Sequence, residues 1–435
     1  MANVKRKETL NIAIQLDEAR PYKAGDTITG RVVCKSHVVS PRAWFTVQLA
    51  GTTKVIIRTD DGDGGTRHYR SSHELITQPV IQTLFDGPIH IPPNPTPEQF
   101  ESRLFSLTIP YQCSPPSEAP RQSTASTLSP KNHTEATEPQ PPPYSPPCLP
   151  LPPSFSTTTT DIWSVTTHAS VSYHITARFH EQHSTHTQTT ATTLPINIVP
   201  STAPPLAEPQ RLHTQNSRHT VYSQRLLGQE TLSLWDCFSK AIHAPWIPQY
   251  EFQVSVSCPA ELQPGAHRPF SFQVVITPLR QSESLGPLEK TNPEVKLERL
   301  VLRLVAWTDV TCLEMGLVGF KRVEERCVVE VVWEMEGGLG LPYAPEDAAW
   351  DAGRAMGLRF GSSEIVYCDE MEERERRTEA VRLPYSSCLH GDFIMANMRH
   401  LHNLEWEIKL AVAGETVNVR GSRRVVVVDP STVPL

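Results

Sequence analysis

Pro141-Pro142-Pro143-Tyr144 carries the sharpest chemical signal in the chain, because it fits the PPxY pattern. Proline fixes its own φ and lacks an N–H, so such a run is preset as an extended polyproline II segment that loses little entropy on docking against aromatic ridges. A tyrosine two places after Pro142 adds an apolar ring with a polar tip, and WW domains read this combination. Pro141, Pro142 and Tyr144 are therefore the candidate binding residues; the bland alternative is a proline-rich spacer with an incidental tyrosine. The Ser-Pro dipeptides at Ser129 and Ser145 are candidate phosphorylation sites. Phosphate on Ser145 would place about −1.5 to −2 charges beside the docking ring.

Other groups with suggestive spacing read more simply. His180, His183 and His186 have an HxxHxxH spacing, but they lie in a Ser/Thr-rich stretch without a neighbouring Cys, so a solvated hairpin loop is expected and no metal. Asp60-Asp61-Gly62-Asp63-Gly64-Gly65 resembles the start of a calcium loop, yet the twelfth position counted from Asp61 is Ser72 and not a bidentate Glu. A Gly-rich hairpin turn is expected there. The chain has no GxSxG elbow, no P-loop and no GxGxxG after a strand, so no cofactor and no enzymatic activity are expected. A hydrolase on a β-sandwich is the remote alternative and requires a convergent acid, base and nucleophile.

Composition narrows the partners. With 40 Lys+Arg against 47 Asp+Glu, a net charge of −7, the chain lacks the basic stripe that would neutralise a nucleic-acid backbone. No apolar run approaches the length of a membrane span, and Asn11, Gln15 and Asp17 interrupt the first one, so neither a span nor a secretory leader is expected. A cytoplasmic protein follows, and the sequon Asn132–Thr134 is then idle. The nine cysteines lack CxxC spacing; Cys34, Cys258 and Cys327 sit in apolar alternations, as reduced core thiols do.

The elements that would position these residues are strands. Leu10 to Leu16, Ile28 to Cys34, Phe45 to Ala50 and Val171 to Ala177 alternate apolar and polar side chains, and Trp307, Trp333 and Trp406 stand in similar apolar patterns as core residues. Many short strands with Gly/Pro turns predict an all-β class built of stacked sheets. One short helix is expected from the 3.6-residue spacing over Gln224 to Ile242. Prolines number 40 of 435 residues, nearly twice the usual ~5%. They concentrate in 111–150, where a Pro/Ser/Thr-rich composition predicts a disordered insertion. The expected organisation is a first domain over 1–200 containing that insertion, a linker over 201–248 and a second domain over 249–435. Residues 337–377, with Gly-rich turns and a mixed-charge run, are expected to be irregular.

The two halves also align with each other. Placing Gly25 on Gly265 puts Val32 on Phe272 and Cys34 on Val274, while Val47, Leu49, Gly51, Thr53 and Val55 fall on Leu302, Leu304, Ala306, Thr308 and Val310. Ser154-Phe155 before the Tyr173 strand parallels Asp392-Phe393 before Leu404, Trp406, Ile408 and Leu410. Two copies mean a tandem duplication, each copy large enough for its own core.

Pro21 to Val33 (PYKAGDTITGRVV), Leu151 to Phe155 (LPPSF) and Asp392 to Arg399 (DFIMANMR), taken with the duplication, resemble the arrestin family. In that pattern Gly25 takes the positive φ of a tight turn, and Gly30 and Val32 begin the next strand. The resemblance covers most of the chain outside the insertions. It implies two tandem arrestin-like, immunoglobulin-like β-sandwich domains and a role in binding membrane-protein cargo and trafficking machinery. With the PPxY motif the chain is similar to the α-arrestins. That similarity implies recruitment of a WW-domain HECT-type ubiquitin ligase to membrane transporters or receptors at the plasma membrane or endosomes. The motif's place inside the first domain, not behind the second, departs from the family's usual arrangement. An arrestin-like trafficking or signalling scaffold without ligase recruitment is the alternative.

Overall fold

The computed structural model describes residues 11–60, 65–76, 80–93, 96–113, 149–161, 164–182, 187–201, 206, 210–227, 247–264, 269–281, 292–312, 321–343, 350–355, 359–360, 365–366, 377–381 and 391–428. Among them the fold is all-β, with helical turns only at Pro97–Gln99, Gln224–Leu227 and Ala352–Ala355. The chain divides into two compact units. Unit 1 comprises Met1–Pro200, Val310–Lys321 and Ile394–Met398; unit 2 comprises Ser201–Asp309, Arg322–Phe393 and Arg399–Leu435.

Unit 1 runs β1 (Ile12–Leu16), β2 (Thr27–Cys34), β3 (Val38–Asp60), β4 (Thr66–Glu74), β5 (Val80–Ile91), β6 (Glu101–Thr108), β7 (Phe155–Thr160), β8 (Thr166–Gln182) and β9 (Thr187–Ile196). One sheet has the order β1-β2-β6. The other has β4-β3-β8-β7, with β5 also on β3 and β9 also on β8. Strand alternation places Val47, Leu49, Val55, Val171, Tyr173, Ile175 and Ala177 on the buried side with Ile28, Val32, Phe105 and Leu107 of the smaller sheet, and all of these are buried.

Unit 2 runs β10 (Leu212–Tyr222), β11 (Gln249–Pro259), β12 (Glu261–Leu262), β13 (Gln273–Gln281), β14 (Val295–Val310), β15 (Lys321–Leu341), β16 (Trp350–Asp351), β17 (Arg359–Phe360), β18 (Ile365–Val366), β19 (Arg377–Val381), β20 (Phe393–Ile394), β21 (Met398–Val412) and β22 (Glu415–Val427). Its sheets have the orders β10-β11-β13-β16 and β12-β22-β21-β14-β15-β19, with β20 also on β21, and β17 pairs with β18. One apolar cluster joins Tyr250, Phe252 and Val254 of β11 to Leu302, Trp333, Trp406 and Ile408 of the larger sheet. Trp307 is buried as well, as expected of all three tryptophans.

The two units repeat one topology. β1-β2-β6 corresponds to β11-β13-β16, and β3·β8 flanked by β7 and β9 corresponds to β14·β21 flanked by β20 and β22. The parallel bridge Tyr22↔Ile198 matches Leu262↔Val427. Val199 N–H donates to Tyr22 O at 2.8 Å, as Val428 N–H donates to Leu262 O at 2.9 Å. Every aligned residue from Val47/Leu302 to Val55/Val310 is buried, the threonines Thr53 and Thr308 included. Gly265 lies outside the described residues.

Three sequence expectations change. Within 201–248, read as a linker, Leu212–Tyr222 form strand β10, paired with β11 along their whole length. A strand with one open side needs no apolar alternation, so its run of His, Thr, Gln, Asn and Ser hid it. The described start of the expected Gln224–Ile242 helix is the 3-10 turn Gln224–Leu227, and the remainder lies outside the described residues. Residues 337–377 are not wholly irregular: β15 continues to Leu341, with positive φ at Gly337 and Gly338, and β16 to β18 follow.

Candidate functional site

Residues 114–148, and with them Ser129, Pro141, Pro142, Tyr144 and Ser145, lie outside the described residues. Both ends of that segment are described. Cys113 N–H donates to Leu149 O at 2.8 Å and Leu151 N–H to Tyr111 O at 3.1 Å, with Gln112 bridging Pro150 antiparallel. The two described ends of the segment are thus adjacent in unit 1. Burial pushes the Cys113 thiol up to about 12, so it remains a protonated, unreactive core group.

Beside this clasp lies the turn that the sequence marked at Gly25. Asp26 N–H donates to Lys23 O at 3.0 Å, and Gly25 has φ of +88°, the left-handed conformation expected of it. The Asp26 carboxylate accepts Lys23 N–H at 3.0 Å and Arg20 Nη1 at 2.9 Å. Chiefly the Lys23 N–H, and then Arg20, hold its carboxyl below the usual range. The Tyr111 ring lies over Gly25, where a Cβ would collide with its Oη. Tyr111 is nonetheless 72% exposed and Leu149 37%, so the clasp presents two apolar side chains to solvent. Neither was marked in the sequence, since nothing in their neighbours distinguishes them from the proline-rich segment they bound.

The face of the β4-β3-β8-β7 sheet turned away from the core is a polar lattice. Thr52 meets Ser172 at 3.3 Å, Thr176 meets Thr193 at 3.3 Å, Thr160 meets Thr166 at 3.1 Å, and Arg178 donates to Gln48 at 2.8 Å. His180 belongs to this lattice: Nδ1 contacts Thr189 Oγ1 at 3.0 Å, Nε2 contacts Thr46 Oγ1 at 3.4 Å, and the ring stacks on Trp44 with centroids 4.9 Å apart. Burial, and then Arg178, lower its pKa. His183 and His186 lie outside the described residues, and no group of three metal-ligating side chains occurs among the described ones. β3 and β4 form an antiparallel hairpin closing at Asp60↔Thr66, where a turn was expected in place of a calcium loop.

Unit 2 holds a buried polar cluster that the sequence did not announce. Asp392 Oδ1 accepts His402 Nδ1 at 2.7 Å and Val427 N–H at 3.2 Å, while Oδ2 accepts Arg424 Nη2 at 3.2 Å. Thr308 Oγ1 and His400 Nδ1 are 3.0 Å apart, and Arg399 Nε donates to Asp309 at 2.8 Å. A carboxylate orienting an imidazole is half of a nucleophile-activating relay, but His402 is 0% exposed, so substrate has no access to it. Its chemistry is that of a clasp between β20, β21 and β22. The groove beside Trp406 is also matched in charge, Arg303 with Glu330 at 2.6 Å and Arg420 with Glu407 at 2.9 Å.

No family model matches the chain, and no curated protein matches it. No helix among the described residues is long and apolar enough to cross a membrane.

Proposed function

We propose that the chain is an arrestin-like adaptor that couples membrane-protein cargo to a WW-domain HECT-type ubiquitin ligase, for ubiquitin-dependent endocytosis or sorting. The reading rests on the duplicated β-sandwich topology, the order of the arrestin-like motifs and the single PPxY. One observation carries it: Tyr144 stands five residues before Leu149, which is fixed to Cys113. At no more than ~3.6 Å per residue, Tyr144 stays within about 18 Å of that clasp. A ligase held there is held beside unit 1, and its raised local concentration drives ubiquitin transfer to whatever cargo the adaptor carries. The protein works in the cytoplasm and reaches the plasma membrane or endosomes through its cargo.

The test is capture of the full chain by isolated WW domains. Truncating an aromatic anchor weakens binding by about 2–4 kcal/mol, roughly 30- to 1,000-fold, so Tyr144→Ala should abolish capture. Its melting temperature should match the wild type, since the Pro/Ser/Thr-rich composition around Tyr144 has too little apolar surface to build a core that the change could disturb. Undiminished capture by Tyr144→Ala would reduce Pro141–Tyr144 to a spacer and return the reading to a scaffold without ligase recruitment.

A further inference from the structure

Strand β10 is an open sheet edge without the usual protection against pairing. It terminates the order β10-β11-β13-β16, so among the described residues no strand covers its outer side. Its eleven residues pair with β11 in an unbroken register, without a bulge. It contains no proline and one formal charge, Arg218. Edge strands are ordinarily blunted by brevity, charge, proline or bulges. The other long described edges show these devices: β4 carries Arg67, Arg70 and Glu74, β6 carries Glu101 and Arg103, β5 has register shifts and β9 contains Pro195, while β1 has five residues and β7 six.

The side chains of β10 add a second observation. His213, Gln215, Ser217 and His219 face the core side, opposite Cys258, Val256, Val254 and Phe252, which are 0–1% exposed. The β10 residues themselves are only half-buried, so the rim of this core is left partly open. On the other face Thr214, Asn216, Arg218 and Thr220 are exposed.

The geometry points to a second copy of this chain as the occupant, with β10 pairing antiparallel to its two-fold mate and joining two sheets into one. The longest overlap of 212–222 with itself centres on Ser217, opposing Thr214 to Thr220 and Asn216 to Arg218 of the mate. No like charges meet in this register, and threonine pairs are favourable across antiparallel strands. Such an isologous contact closes at the dimer.

A charge swap reads out both the contact and its register. Sedimentation of the full wild-type chain should show a concentration-dependent monomer–dimer equilibrium. Thr214→Lys with Thr220→Lys brings lysines face to face twice and should weaken dimerisation by about tenfold or more. Thr214→Lys with Thr220→Glu makes both meetings attractive and should restore it. Both variants should melt near the wild type, because the two positions are exposed. A wild type that stays monomeric at about 100 μM, near the weak end of specific association, would overturn the proposal. A dimer indifferent to the double lysine, or open-ended larger assemblies, would do the same.

Discussion

Ser154 and Asp392 occupy the same place in their two units and make the same pair of backbone contacts. Ser154 N–H donates to Ile198 O at 2.7 Å, and its Oγ accepts Ile198 N–H at 2.9 Å. Asp392 N–H donates to Val427 O at 2.8 Å, and its Oδ1 accepts Val427 N–H at 3.2 Å. Each residue anchors the approach to a short strand, β7 or β20, on the strand two places away. The carboxylate adds contacts that the hydroxyl lacks, to His402 and Arg424. Residues aligned by register continue the comparison: Tyr173 pairs with Ile196, as His402 pairs with Val425.

That difference sets the cost of removing each anchor. Ser154→Ala loses one neutral hydrogen bond and should cost about 1 kcal/mol. Asp392→Ala strands a buried imidazole as well, and breaking such a pair should cost about 3 kcal/mol. Asp392→Ser, which retains the contact to Val427, should fall between them. Denaturant midpoints at constant m-value check the order; equal losses for both alanine variants would show that His402 and Arg424 gain nothing from Asp392.

The core of each unit was legible because alternation marks which side of a strand is buried, and Val47, Tyr173, Leu404 and Trp406 are buried as their spacing requires. The uninterrupted run Leu304-Val305-Ala306-Trp307 is likewise buried on both faces of β14. The Asp392–His402–Arg424 clasp was not legible, since its members are separated in sequence and meet only through strand register. Neither was β10, whose polar residues fit an edge as well as a loop. The PPxY motif is the reverse case: Pro141 to Tyr144 is legible as a pattern in the sequence alone, and its position lies outside the described residues.

Histidines set the response to acid. Burial lowers the pKa of His73, His174, His180 and His219. The unfolded chain then takes up protons at about pH 6.5 before the folded chain does, so stability falls as pH drops through that value and levels off below the folded pKa values. Asp26 acts in the same direction at lower pH: its contribution is present above the ordinary carboxylate pKa and is lost as pH falls through its lowered folded value. Histidine is the side chain whose ordinary pKa falls between pH 7.5 and 5.5. Urea midpoints should fall across that window, and His180→Gln should flatten the slope; an unchanged slope would remove His180 from the account.

The hairpin between β21 and β22 turns on Ala413 and Gly414, with φ of +50° and +75°. Two successive positive φ values are the signature of a type I′ turn, which suits Asn-Gly and strains alanine. Ser223 Oγ donates to Ala413 O at 3.2 Å, a backbone contact that any side chain at 413 preserves. Ala413→Asn should stabilise the protein by about 0.5–1 kcal/mol, measured as an upward shift of the melting temperature. A loss of stability would place the turn in a conformation that alanine already suits.

Gly51 and Tyr173 are coupled by shape. They are cross-strand partners, and a Cβ on Gly51 would stand 2.5 Å from Tyr173 Cε1. The ring has no room to retreat, being 1% exposed and tied through its Oη to Pro152 O at 2.6 Å. In unit 2 the aligned positions hold Ala306 and the smaller ring of His402. Gly51→Ala should therefore destabilise by about 1–3 kcal/mol through overpacking, although alanine would otherwise favour a strand over glycine. Tyr173→Leu should cost about 2–4 kcal/mol through lost packing and the lost hydroxyl contact. Combined, the two should cost less than their sum by about 1 kcal/mol, because leucine removes the ring edge that the methyl meets. A double-mutant cycle on denaturant midpoints measures this coupling, and strict additivity would show that Gly51 is required by its backbone and not by Tyr173.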